Sequence, residues 1–131
     1  MIDITERDFS IDEIVSKAKR EDVGAIVTFL GTVRNDNIQR MELEAYKEAA
    51  LPELEKIGNE ATQKFDLKSV HIIHRIGSLF VGDNIALIVC AAGHRKEAFE
   101  GCSYIIDELK ERVPIWKKEI AEGGERWVGH D

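Results

Sequence analysis

Residues 84–114 read NIALIVCAAGHRKEAFEGCSYIIDELKERVP, and this stretch decides the fold class. Asn84 to Ala92 is a nearly continuous apolar run, short enough for a buried strand. Gly93 breaks it. From His94 to Val113 the apolar residues Ala98, Phe99, Cys102, Ile105, Ile106, Leu109 and Val113 recur at intervals of three and four, which is the spacing of one helix face. Pro114 ends that helix, because proline disfavours helical geometry in the residue before it. A buried strand therefore feeds directly into an amphipathic helix.

Toward the N-terminus, Lys47 to Phe65 also reads as a helix, with Ala50, Leu51, Leu54, Ile57, Ala61 and Phe65 as its apolar stripe. Pro52 is tolerated near a helix start and costly in the interior, so the regular part is expected from about Leu51. Ser10-Ile11-Asp12-Glu13 has the form of a capping box and opens a short helix through about Arg20, with Ile11, Ile14, Val15 and Ala18 on one face. Val23 to Val33 reads as a well-buried strand in which Gly31 marks a bulge or a close backbone approach. Arg34 to Asn37 is turn chemistry. Arg40 to Tyr46 alternates as a half-exposed strand, expected antiparallel to the one before it. Ser69 to Ile76 and Leu79 to Val81 read as further strands, and Ile115 to Asp131 as a tail. Helices mixed with neighbouring strand pairs make the class α+β, a mixed and mostly antiparallel sheet with flanking helices, rather than a doubly wound parallel sheet. There is no repeat, low-complexity tract or linker, so a single domain over 1–131 is expected.

The chain has 131 residues, 44% apolar and 33% charged, which is globular composition. Its formal net charge of -7 argues against nonspecific nucleic-acid binding and against docking on anionic membranes. No apolar stretch is long enough to span a bilayer, and Met1 to Ser10 carries acids rather than a secretory signal. Cys90 lies in an apolar run and Cys102 on a helical apolar face, so both read as buried free thiols, which points to the cytoplasm.

Three constellations stand out for chemistry. Gly93-His94-Arg95-Lys96 lies where a strand turns into a helix, and basic side chains there oppose the helix dipole unless an anion is bound; a solvated helix end with Arg95 paired to Glu42 or Glu44 is the alternative. Lys110 stands in a last helical turn, where the dipole alone favours a cation. Lys117 follows a proline break and Trp116, so no helix end accounts for it. Residues 94–118 hold six Lys/Arg against five Asp/Glu, a positive island in an acidic chain that suits a small anion. Arg34, at the mouth of a strand, can clamp phosphate in a fork or form a surface ion pair. His71 and His74 are three apart in a strand and point to opposite faces, so no shared metal site is expected, and no cofactor.

Longer stretches then add a resemblance. Phe29-x-Gly31-x-Val33-Arg34, Glu44-Ala45-Tyr46, His74-Arg75-Ile76-Gly77-Ser78-Leu79, Val81-Gly82-Asp83, His94-Arg95-Lys96-Glu97-Ala98-Phe99, Leu109-Lys110, Val113-Pro114-Ile115-Trp116-Lys117-Lys118-Glu119 and Gly124-x-x-Trp127-Val128 resemble, in order, the large catalytic subunit of molybdopterin synthase. They cover about residues 22–128. The resemblance implies an α/β-hammerhead fold and a homodimer within a heterotetramer. The implied partner is a small ubiquitin-like sulfur-carrier subunit whose C-terminal Gly-Gly ends in a thiocarboxylate. The implied substrate is cyclic pyranopterin monophosphate, which receives two sulfurs to become molybdopterin.

By that resemblance Lys117 and Lys110 match active-site lysines. Arg34, His94 and Arg95 match residues that bind phosphate or pterin, some across the dimer. Phe29, Pro114 and Trp116 match a channel for the carrier tail. Leu43 stands where an aromatic is common in the family and Ala49 where methionine is common; both read as packing changes. Many relatives also carry a basic residue beyond Val128 that serves the pocket, a place for which Arg126 or His130 is the expected stand-in.

Overall fold

The computed structural model describes residues 1–128. Eleven elements follow in the order β1 (Ile2–Thr5), α1 (Ile11–Ala18), β2 (Ala25–Thr32), β3 (Arg40–Ala45), α2 (Lys47–Phe65), β4 (Leu67–Arg75), β5 (Gly77–Phe80), β6 (Asn84–Ala92), α3 (Arg95–Arg112), β7 (Ile115–Ala121) and β8 (Gly124–Val128). The strands form two four-stranded sheets, ordered β1-β4-β6-β2 and β5-β3-β7-β8. β1 runs parallel to β4, and the other pairs are antiparallel. The class is the expected α+β, with the strands divided between two sheets.

β6 is central to the first sheet, and its alternation explains why it is apolar throughout. Ile88, Cys90 and Ala92 face α2 and α3, where they pack with Leu54, Ile57, Cys102 and Ile105. Leu87, Val89 and Ala91 face the other way, onto Ile14 and Ala18 of α1. Successive side chains of a strand point to opposite faces, so a strand covered on both sides must be apolar at every position. A smaller core of Val33, Met41, Leu43, Leu79, Ile85 and Ala86 lies where the two sheets meet. Among the described residues, no helix is long and apolar enough to cross a membrane.

Local signals account for the helix ends. Ser10 Oγ accepts from Glu13 N–H at 3.3 Å and caps α1. In α3, His94 is the extended residue before the helix, and Val113 donates back to the Leu109 carbonyl at 3.2 Å before Pro114. α2 begins earlier than expected. Ala50 N–H bonds the Tyr46 carbonyl at 2.8 Å, so the helix starts at Lys47 and carries Pro52 inside it. The proline removes one bond in the second turn, and the burial of Ala50 and Leu54 offsets that loss.

Three other expectations are corrected, and one strand is new. β2 is an edge strand rather than a well-buried one: among the described residues it pairs only with β6, and Phe29 and Leu30 are exposed. The bulge at Gly31 is present, as a register shift between Gly31 and Thr32. β3 does not pair with β2. The segment after Val33 crosses to the second sheet, where β3 lies between β5 and β7. The expected tail is a hairpin, β7 and β8, turned at Gly123 and Gly124 with positive φ. β1, unanticipated, adds the parallel edge, with Ile4 opposite His74.

Candidate functional site

A pocket of about 200 Å³ opens between the first sheet, the C-terminal end of α3 and β7 of the second sheet. Helical spacing places Ile106, Leu109, Lys110 and Val113 along one side of it. Strand alternation places Ile115 and Lys117 along another, while Trp116 between them points away and is exposed. Phe29 and Thr32 of β2, with Ile85 and Ile88 of β6, complete most of the wall. His74, at the end of β4, is its buried polar member.

The two lysines reach this pocket from different element types, a helix and a strand. Lys110 rides on the last turn of α3, where the helix dipole favours its charge. Lys117 is pinned by its strand, with Leu43 opposite it on β3 and Val128 on β8. Both are partly buried. Walls that are mostly apolar lower the local dielectric, and a fixed ammonium acts more strongly on an anion there than in water. Burial holds the His74 imidazole far below its ordinary range, at about 4; its hydrogen bond to Arg75 opposes that shift, and the Lys117 charge adds to it.

The expected site residues divide into two groups. Phe29, Lys110 and Lys117 share the pocket. Val113 and Ile115 line it from the 113–116 stretch, whereas Pro114 and Trp116 do not. His94 and Arg95 are exposed at the opposite end of α3. Fifteen residues of helix at about 1.5 Å each separate Arg95 from Lys110, roughly 22 Å. Arg34 is exposed beyond β2, with Nε 2.7 Å from Asp36 Oδ2. Arg126 binds the buried Glu119 carboxylate at 2.7 Å, away from this pocket, and His130 lies outside the described residues. In the sequence His74 stands out as a metal candidate with His71 and as part of a family motif, not as a pocket residue. Its inward position at the end of an apolar strand was the available signal for a pocket residue.

Comparison with known proteins follows the same lines. The MoaE protein family matches residues 4–112. The molybdopterin synthase catalytic subunit of Pyrococcus abyssi is 45% identical over 128 residues, covering 95% of this chain and 86% of that protein. The crystal structure of molybdopterin synthase from Staphylococcus aureus contains a chain with a TM-score of 0.90 and 37% identity, covering 97% of this chain and 96% of that one. A chain in the complex of subunits 1 and 2 of molybdopterin-converting factor from Helicobacter pylori has a TM-score of 0.82 at 24% identity, covering 97% and 89%, which is a likeness of fold. With the family spanning most of its length and a relative this similar nearly end to end, the chain belongs to the MoaE protein family.

Proposed function

We propose that residues 1–131 act as a single-domain catalytic subunit of a molybdopterin synthase, moving two sulfurs, one from each of two thiocarboxylated copies of a small ubiquitin-like carrier, onto cyclic pyranopterin monophosphate and leaving each carrier as its carboxylate. The observation that carries this reading is the meeting of Lys110 and Lys117 in one pocket with apolar walls. Opening a cyclic phosphate and releasing sulfur from an acyl carrier both develop negative charge on oxygen, and preorganised cations stabilise that charge without reorganising. Lys117 serves as the main electrophilic or proton-transferring group. Lys110 holds the thiocarboxylate and takes part in proton transfer.

In this reading the carrier's tail enters along Phe29 and the 113–116 stretch, with Pro114 and Trp116 at its mouth. Arg34, His94 and Arg95 bind the phosphate or pterin. The length of α3 supports placing His94 and Arg95 in the pocket of a second copy rather than their own, within a homodimer that joins two carriers into a heterotetramer. The Helicobacter pylori complex pairs a chain of this fold with another subunit, which supports a partner here. The free, buried Cys90 and Cys102 suit a cytoplasmic setting.

The test is a single-turnover reaction of the chain with thiocarboxylated carrier and cyclic pyranopterin monophosphate. Carrier-dependent formation of the dithiolene pterin is the expected result. Binding of both components without product would identify a non-catalytic binding module instead.

A further inference from the structure

His74 has no part in the transfer reading, yet its ring lies in the same wall as both lysines. It is the penultimate residue of β4, opposite Ile4 on β1 and Ala86 on β6, and only 3% of it is exposed. Its Nδ1 lies 2.8 Å from the carbonyl oxygen of Arg75. A carbonyl can only accept, so Nδ1 carries the proton and the neutral ring presents Nε2 as an acceptor. An imidazole buried among Ile4, Ile85, Ala86 and Ile88 is costly unless Nε2 finds a donor. The ionisable groups that share the pocket with it are Lys110 from α3 and Lys117 from β7; β1 and β6 present apolar side chains. The Lys117 charge adds to burial in disfavouring the protonated ring, and β7, which carries it, belongs to the sheet across the pocket from His74.

We propose that His74 is a positioning residue for Lys117: its Nε2 accepts a hydrogen bond from the Lys117 ammonium and fixes the direction in which that charge faces the pocket. A lysine has four rotatable side-chain bonds, and its catalytic value depends on where its charge points. A strand residue on the facing sheet, held through its other ring nitrogen to its own backbone, is a rigid support for it. The inference rests on the assignment of Lys117 as the principal catalytic lysine.

The experiment compares wild type, His74→Leu, His74→Gln and Lys117→Ala in the reconstituted transfer reaction across pH. His74→Leu is expected to lower kcat by roughly 10–100-fold, the scale of a misplaced catalytic group, with KM for carrier and pterin unchanged. It should also displace the limb of the pH profile that Lys117→Ala abolishes. His74→Gln, which keeps an acceptor near the Nε2 position, should recover most of the rate. Wild-type kcat and pH profile in a folded His74→Leu protein would overturn the role.

Should that variant fail to fold, nitrogen-15 NMR of the wild-type histidines decides. A neutral Nδ1–H ring whose Nε2 resonance moves in Lys117→Ala supports the proposal, and an Nε2–H ring or one indifferent to Lys117 overturns it. Undiminished product formation by Lys117→Ala would remove the parent reading as well. A dead Lys117→Ala beside a fully active His74→Leu would remove this inference alone.

Discussion

Arg112 and Glu60 form a two-pronged ion pair between α3 and α2, with Nη1 2.6 Å from Oε1 and Nη2 3.1 Å from Oε2. Arg112 Nε also donates to Glu53 at 2.7 Å, and Tyr104 Oη donates to Glu60 at 2.9 Å. The cluster fastens the last turn of α3, which carries Lys110 and leads into β7. The site's geometry thus depends on a clamp outside the pocket. A planar guanidinium grips Glu60 with a fixed two-nitrogen fork while its Nε reaches Glu53, and the single nitrogen of an ammonium does not reproduce that spread. Arg112→Lys should therefore lower the urea midpoint nearly as much as Arg112→Met, and both should weaken sulfur transfer with Lys110 still present. Equal midpoints for Arg112→Lys and wild type would contradict this.

The same clamp sets a pH dependence. The Arg112 guanidinium, and then the Tyr104 hydroxyl, hold the Glu60 carboxyl down from its ordinary 4.5 to about 2. A carboxylate whose folded value is depressed stabilises the fold above its unfolded value, and that contribution is lost as pH falls through the folded one. Stability measured by denaturant should thus fall between about pH 4.5 and 2 in wild type. Glu60→Gln should flatten that part of the curve and start from a lower plateau at neutral pH. A curve of unchanged shape in Glu60→Gln would show that other carboxylates govern acid unfolding.

Cys90 and Cys102 face one another across β6 and α3 inside the main core. The neighbouring Cys102 thiol and burial push the Cys90 thiol well above its ordinary range, so thiolate, the reactive form, is scarce. An aromatic disulfide reagent should leave both cysteines unmodified in the native protein and titrate both after denaturation. Rapid modification of either thiol in the native state would contradict the packing described here.

Two glycines allow close approach without relying on turn geometry. A methyl group on Gly24 would collide with the backbone carbonyl oxygen of Gly93, beside the junction of β6 and α3. On Gly101 it would lie 2.7 Å from Leu67 Cδ1, a side-chain end that can move. Gly24→Ala should destabilise by about 1–3 kcal/mol through overpacking. Gly101→Ala should cost less, because alanine recovers about 1 kcal/mol of helix propensity. Urea unfolding of both variants checks the order, and the reverse order would refute it.

What was legible in the sequence follows from which physical signal each element carries. α3 combines a break at Gly93, an apolar face from Ala98 to Leu109 and a stop at Pro114, so three independent signals agree. β6 is covered on both faces and must be apolar throughout, which leaves little else to read. β7 carries no such pattern because one of its inward positions is Glu119, made tolerable by Arg126 across the hairpin in register. An ion pair between strands is invisible to apolar periodicity. β1 is four residues long, too short for a period to show, and its parallel pairing to β4 and the burial of Ile4 in the main core hold it. The β2–β3 pairing failed because sequence neighbours usually pair, whereas the segment after Val33 changes sheets.

The site was legible to the extent that its residues belong to elements with clear signals. Lys110 lies on a well-marked helix face, and Lys117 follows the break that ends that helix. That these two lysines share a wall is a tertiary fact, as is the separation of His94 and Arg95 from it. The pocket role of His74 was not legible because a lone histidine in a strand carries no periodic signature. Its hydrogen bond to Arg75 is local to β4, but the pocket it shares with Lys117 exists only once two sheets have come together.

The most direct measurement is the single-turnover rate of sulfur transfer by Lys117→Ala, alongside Lys117→Arg and Lys110→Ala. Removing one preorganised cation from a developing oxyanion costs about 10²–10³ in rate, so Lys117→Ala should fall by at least that much, and arginine should not restore it. Product formation by Lys117→Ala at close to the wild-type rate would contradict the account.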